Sequence, residues 1–394
     1  MFKTHKLVAL AAVAAITLAS CEPTTPVDPN PGDNKTKIIS ENITANETWY
    51  ADTVYQLGGR ITVTSGATLT IEPGTVIKGE AGTGANATAL LIARGAKLMA
   101  EGTASMPIIF TTVADEITHE QLMTGDFKSP NLDATVNGLW GGVIVLGNAK
   151  ISASNASGDV SEVQIEGIPT SDANGLYGGS DDADNSGVIK YVSIRHGGAN
   201  IGSGNEINGL TLGGVGSGTT IENVEVVSNQ DDGIEWFGGT VSVTNVVVWN
   251  AGDDAIDTDQ SWGGTLDNFV VITPSDRPFE LDGPEGTYEA SHTIKNGNVQ
   301  ASSADITSGD LINTDANSLV SLESIYITDI LPGQIINRVD AAGVFYTDIV
   351  LNVDTVSNYI KNNGTHPGIN AGTTPKANTS VLGWTWAAQA GVIQ

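Results

Sequence analysis

An all-β solenoid, a single-stranded right-handed parallel β-helix, is the fold this sequence predicts, and three observations predict it. The 394 residues include 47 glycines and only 6% aromatics. Val, Ile, Thr and Asn recur in short alternating runs that suit strands and tight turns. A frame then repeats: IENVEVVSNQDDGIEWFGG from Ile221, VTNVVVWNAGDDAIDTDQSWGG from Val243 and LDNFVVITPSDRPFELDG from Leu266. Finally, Asn223, Asn245, Asn268 and Asn296 hold the same place in that frame.

The repeat decides the architecture. IKYVSIRHGG from Ile189 precedes the three units, and IKNGNV from Ile294 and LESIYI from Leu322 follow them. Each unit reads as a strand, a turn, a second strand such as GIEWF or AIDTD, and a return strand. A unit this short cannot close its own core, so successive units must stack and bury a continuous one. Parallel strands one lap apart then lie about 4.8 Å from each other, and parallel crossovers favour the right hand. The four asparagines, with Tyr191 and Ser324 at the column's ends, read as a structural ladder whose amides bond along the stack.

Taken in chain order, the first 20 residues form a leader: Lys3 and Lys6 precede an apolar run from Leu7 to Leu18, too short to span as a mature helix. Leu18-Ala19-Ser20-Cys21 resembles the lipobox of bacterial lipoproteins, which implies cleavage before Cys21 and its lipidation. Cys21 is the sole cysteine, so the folded body has no disulfide, thiolate–zinc site or thiol nucleophile. EPTTPVDPNPGDN, with four prolines, belongs to a tether assigned to residues 21–40; its polyproline-like stretch spans roughly 40 Å at about 3.1 Å per residue.

Residues 41–394 are assigned to the solenoid with a C-terminal cap. GATLTIEPGT from Gly66 and GAKLMAEGTA from Gly95 are irregular early coils, joined by GLWGGVIVLGNAKI from Gly138. Polar excursions at 114–136, 153–187 and 287–292 are expected on one face, as a binding wall. GWTWAAQAGVIQ from Gly383 is expected to cover the open last coil.

Charge narrows the partners. The formal net charge of −28 becomes about −30 once Lys3 and Lys6 leave with the leader. Phosphate backbones are repelled, which excludes nucleic acid and leaves divalent cations and cationic or neutral ligands.

The acidic residues fall in step with the laps: Asp231 with Asp253, Asp232 with Asp254, Glu235 with Asp257. Two carboxylates about 5 Å apart repel by roughly 3 to 4 kcal/mol at an effective dielectric of about 20. A proton, turn amides or a bound cation must compensate. Calcium is the favoured ion because it accepts many oxygens in irregular geometry, and Asp231, Asp232, Asp253, Asp254, Asp257 and Asp259 are its candidate ligands. Zinc would want nitrogen or sulfur, and His196 and His292 do not match in the frame. The other reading of the same acids is plain turn chemistry. SDDADNSG, from Ser180, is a second acidic loop without a complete calcium-loop pattern.

Aromatic residues add ligand-binding candidates. Trp236 and Trp262 lie near the acidic stretches, where indoles stack on sugar faces; Trp249 follows VVV and suits a core equally. Arg277 and Arg195 read as ion-pair partners of nearby acids, and Arg277 joins the ligand-binding set.

The string GATLTIEPGTVIKG, GAKLMAEGTA, PIIFT, GLWGGVIVLGNA, YVSIRHGG and SNQDDGIEWFGG resembles a family of β-helix surface lipoproteins, largely of the Bacteroidetes, over nearly all the chain from Trp49. The resemblance implies an outer-membrane lipoprotein displayed on the cell surface. Its expected role is a non-catalytic binding or accessory subunit for glycan or nutrient capture beside an outer-membrane transporter or another envelope protein. The acid pairs also resemble those of polygalacturonase-type glycosidases, with Asp232 as acid and Asp253 or Asp254 as base. That family's Gly-His-Gly segment is missing here, and Arg195-His196-Gly197-Gly198 is a partial echo. Arg277-Pro278 likewise echoes a lyase pattern at the wrong spacing. A purely structural surface protein is the third reading.

Overall fold

Runs such as Ile234–Phe237, buried throughout, and Ile256–Asp259, which alternates in burial, are short, and each finds its partner one lap away in the chain. The computed structural model describes residues 35–82, 84, 87–199 and 207–393. In it a long sheet runs from Lys35–Ile39 through Gly187–Arg195, Thr220–Val227, Val243–Trp249, Thr265–Ile272, His292–Gln300, Val320–Thr328 and Val344–Leu351 to Ile369–Ala371. A shorter sheet runs from Arg60–Val63 through Leu210–Gly213, Ile234–Phe237, Ile256–Asp259 and Phe279–Leu281 to Asn313–Thr314. Their strands pair in parallel, lap upon lap. The chain is therefore a parallel β-helix, as the repeat implies. Between the sheets, equivalent residues stack into apolar columns: Ile189, Ile221, Val243, Leu266, Ile294 and Leu322 are in register and buried.

The asparagine column marks a corner. Gly187–Arg195 pairs through Gly187–Lys190 with Leu98–Glu101 and through Val192–Ile194 with Ile108–Phe110, so one strand continues two faces of the earlier coils. Tyr191, at the joint, has φ 49°, and the residues in step with it repeat that geometry: Asn223 58°, Asn245 61°, Asn268 60°, Asn296 60°, Ser324 51° and Asp348 55°. Asparagine tolerates this left-handed conformation far better than most residues, which explains its recurrence. The ladder is real but partial. Asn245 Nδ2 donates to Asn223 Oδ1 at 3.2 Å and Asn268 Nδ2 to Asn245 Oδ1 at 2.7 Å, whereas Asn296 Nδ2 turns to Asp267 Oδ1 at 2.7 Å.

Three expectations need correction. The C-terminal segment does not cover the last coil; it runs back along the corner as a strap. Lys376 N and Asn378 N donate to Asn298 Oδ1 and Asn268 Oδ1, and Trp384 packs edge-on against Tyr191. The reason is that the outer face of the long sheet is apolar there: Val247, Val270 and Ile272 cluster with Leu382 and Ala387, a patch too large to leave to water. Second, the tether does not extend to residue 40, because Lys35–Ile39 pairs in register with Thr53–Leu57 as the first strand. Cys21, the leader and the rest of the tether lie outside the described residues. Third, the excursions do not share one face. Residues 153–187 form two antiparallel hairpins over the shorter sheet, where Ile151, Ile165 and Tyr177 pack on Ile144, Leu146 and Phe237. Residues 114–136 instead pack Ile117, Leu122 and Phe127 with Trp384 beside the strap.

Replacing Asn245 by alanine should cost about 1 to 3 kcal/mol, combining left-handed strain with two lost amide bonds, while glycine, which tolerates φ 61°, should cost less. Equilibrium denaturation measures both; equal losses would show that the corner does not depend on asparagine's left-handed tolerance.

Candidate functional site

On the shorter sheet the pleat sorts side chains strictly. Ile234, Trp236, Ile256, Phe279 and Leu281 join the core. Glu235, Asp257 and Glu280 are in register on the opposite face, one per lap. Two residues before each of these strands begins lies a second column: Asn208, Asp232, Asp254 and Arg277, by extension of the same register. Gly-turn carbonyls and amides fix it, since Gly209 N bonds Asp232 O, Gly233 N bonds Asp254 O and Asp254 N donates to Asp232 Oδ1 at 2.9 Å. The expected pairing of Asp232 with Asp254 and of Glu235 with Asp257 is thus observed.

Carboxylate oxygens converge at three points: Asp231, Asp232 and Asp253; Asp232, Asp254 and Asp257; and Asp253, Asp254 and Asp276, each set within 4.8 Å. Five of the six residues singled out as ion ligands therefore come together. Asp259 belongs to none of the three groups, and Asp276 enters one without having been anticipated. The second group is the most enclosed, with Asp232 and Asp254 buried and Asp257 half-buried.

Burial dominates the electrostatics. It holds Asp232 well above the usual carboxylate range, reinforced by Asp231; it does the same to Asp257, with Glu235 next in weight, and to Glu235, with Asp232 next. Asp254 is pushed up to about 10 by burial and by a carboxyl–carboxylate contact with Glu280. Asp259 rises to about 7 and Asp282 to about 6, again first through burial, with Asp282 and Asp315 respectively next. At neutral pH Asp254, held at about 10, keeps its proton unless a metal ion stands beside it, whereas Asp282, at about 6, is mostly ionised.

Two of the buried oxygens without a hydrogen-bond partner belong to the column of Asn208 and Asp254. Asn208 donates to Thr211 and Glu235 while its Oδ1 meets none, and Asp254 accepts from Arg277 on Oδ2 while its Oδ1 meets none. Arg277 is fully engaged as the expected ion pair: Asp254 at 3.1 Å, Glu280 at 2.9 Å and Asp276 at 3.1 Å.

The tryptophans are not ligand contacts. Trp236 takes the inward pleat position and is wholly buried, and Trp262 turns inward as well, stacking on it at 4.7 Å with Nε1 donating to Val241 O. A turn position ordinarily favours exposure, but at Trp262 the following Gly263-Gly264 lets the chain close tightly enough to tuck the indole inside, because a side chain at Gly264 would meet that ring. Trp249 points outward, but onto Trp386 of the strap. Arg195 is equally hidden: fully buried, 3.6 Å from Glu225 and 5.0 Å from the Trp386 ring. In the SDDADNSG loop, Asp182 pairs with Lys150, and Asp184 accepts from Asn148 and Ser186. That loop's acids hold its own fold.

Several members of the face carry a sequence signal that went unused. Asn208-Gly209-Leu210-Thr211 aligns with Asp232-Gly233-Ile234-Glu235, and Glu280 follows in the frame. Glu166 and Glu285, which act on Asp259, come from irregular segments with no periodicity to expose them.

Residues 41–320 match the family model of a pectate-lyase-like β-helix domain. Neither a curated protein nor a solved structure matches the chain.

The raised carboxyls set a sign for stability. Because folding favours their protonated form, their contribution is present below the ordinary value of about 4 and is lost as pH rises through the folded values. Without divalent ions, thermal stability should therefore fall from about pH 5 upward, through the window that Asp282, about 6, and Asp259, about 7, define. Thermal melts checked by circular dichroism would show it; a midpoint that climbs or stays level across that window refutes the assignment.

Proposed function

We propose a binding role from a plain premise: the chain belongs to the family of pectate-lyase-like β-helix domains. In this reading the protein is a non-catalytic binding or accessory subunit, anchored through Cys21 to a bacterial outer membrane and displayed on the cell surface. It captures a glycan or other nutrient on the outer face of its shorter sheet, beside an outer-membrane transporter or another envelope protein. Calcium is the ion assigned to the face.

The observation that carries this is the convergence of Asp232, Asp254 and Asp257. Three acids within ligand distance, two of them buried, cost the fold stability unless a cation answers them. Calcium accepts six to eight oxygens at about 2.3–2.6 Å and tolerates a site assembled from two laps. The hairpins of residues 153–187 and the loop around Thr287, joined where Gly286 N donates to Ser152 Oγ, wall one side of the same face. That arrangement supports a cleft for an extended ligand.

One observation favours a second reading. The chain matches a pectate-lyase-like frame, and burial holds Asp232 in the protonated range that a general acid needs. A β-helix polysaccharide hydrolase would use Asp232 as acid and, since burial also keeps Asp254 protonated, Asp253 as base.

Titrating the chelated protein with calcium should give saturable heat and a higher melting temperature, and Asp232→Asn with Asp254→Asn should weaken binding at least about tenfold, or about 1.4 kcal/mol. No heat and no shift would remove the ion. A panel of plant, algal and bacterial polysaccharides should bind without release of sugars; release abolished by Asp232→Asn would replace the binding reading with the hydrolase. Cys21→Ala should move the protein out of the membrane fraction, and its retention there would refute the lipid anchor.

A further inference from the structure

A single divalent ion leaves most of this face's carboxyl groups uncoordinated. Outside the convergent oxygens, Glu235, Glu280, Asp259, Asp282, Glu166 and Glu285 act on one another across the same surface. Arg277, at its edge, is already shared among Asp254, Asp276 and Glu280. A polymer that carries carboxylates or sulfates would meet repulsion at every lap.

A second observation is independent of charge. Asn208 is 3% exposed and Asp254 1% exposed, yet Oδ1 of each meets no hydrogen-bond donor. An amide oxygen only accepts, so the partner missing at Asn208 is a donor. An ion held by Asp232, Asp254 and Asp257 would answer Asp254, but Asn208 lies one lap before Asp232, beside Glu235. An ammonium group brings three N–H donors and a positive charge together.

We propose that the glycan taken on this face carries free amines: a de-N-acetylated hexosamine chain laid along the stack, with ammonium groups against Asn208 and Glu235 at one end and Glu280, Asp259 and Asp282 at the other. This rests on the binding reading of the face. Spacing favours a sugar over a basic peptide. The rungs recur at about 4.8 Å, close to one pyranose per lap, whereas same-face side chains of an extended peptide recur at about 6.8 Å and fall out of step. The charge also separates this ligand from the acidic polymers that a pectate-lyase-like frame would suggest.

The test is calorimetry of the whole protein with three oligomers of equal length, glucosamine, N-acetylglucosamine and galacturonate, at a pH where the amines are protonated, with calcium and with chelator. Glucosamine oligomers should bind saturably and at least about tenfold more tightly than either rival, with affinity falling as salt rises. Glu280→Gln and Asp282→Asn, both half-buried positions, should each weaken that binding severalfold while circular dichroism and melting temperature stay near those of the parent. Equal or tighter binding of N-acetylglucosamine or galacturonate overturns the proposal and leaves the binding reading intact. Glucosamine binding without any calcium heat sustains the proposal and removes only the ion. Calcium heat without glucosamine binding does the reverse, and binding of none of the four removes both.

Discussion

Lap-to-lap register is the constraint on which the rest of this protein depends. Once Ile234, Ile256 and Phe279 are locked side by side in the core, every outward residue is locked beside its equivalents as well. For apolar positions this is purely favourable, since Ile221, Val243, Leu266 and Ile294 bury one another. For charged positions it is costly: Glu235, Asp257 and Glu280 are held about 4.8 Å apart and cannot relax away. Parallel stacking therefore concentrates like charge in a way that a twisting helix surface or an antiparallel hairpin would not.

The corner column and the strap are two answers to the same geometry. A lap must bend between faces, and a single left-handed residue bends it without breaking the ladder on either side, as at Asn223 between Glu222 and Val224. Beyond the bend, the outward columns of the long sheet are Ser193, Glu225, Val247 and Val270, and Arg195, Val227, Trp249 and Ile272. Toward the later laps these columns are apolar, with Val227, Val247, Trp249, Val270 and Ile272. The strap covers them: Ala387 N donates to Glu225 Oε1, and Trp386 lies over Arg195, whose Nη1 and Nη2 are buried without a hydrogen-bond partner. On the shorter sheet's outward face Asp232, Glu235 and Asp254 are buried as well.

How much of this was legible in the sequence follows from periodicity. The β-helix, its laps and the pairing of Asp232 with Asp254 could be read, because a repeat of fixed frame is visible without coordinates. The asparagine column was also visible, although what recurs there is a backbone conformation as much as a chain of amides, which is why Ser324 and Asp348 continue it and Asn296 leaves the ladder. What could not be read was direction and long-range cover. Trp262 sits in a turn whose tightness depends on two glycines, so its indole goes inward against the usual expectation for a turn. The strap's path depends on which face of the long sheet is apolar, a property of four laps at once. Glu166 and Glu285 approach Asp259 from insertions, where no frame predicts a neighbour.

The buried acids of the shorter sheet can then be weighed against plain turn chemistry. Aspartates that serve only their own turns satisfy their oxygens locally, as Asp181 does with Ala183 N and Asp184 with Ser186. Asp232 follows that pattern in part, accepting from Asp254 N. Asp254 does not: one oxygen is held by Arg277 and the other, although buried, has no donor, while Glu280 presses a second carboxyl against it. A turn gains nothing from that arrangement, and a hydrophobic or amide residue at position 254 would fold the lap at lower cost. The same holds for Asn208, whose carbonyl oxygen is buried without a partner one lap before Asp232. Buried acceptors without a donor, at Asp254 and one lap away at Asn208, are what separates these laps from a set of well-made turns.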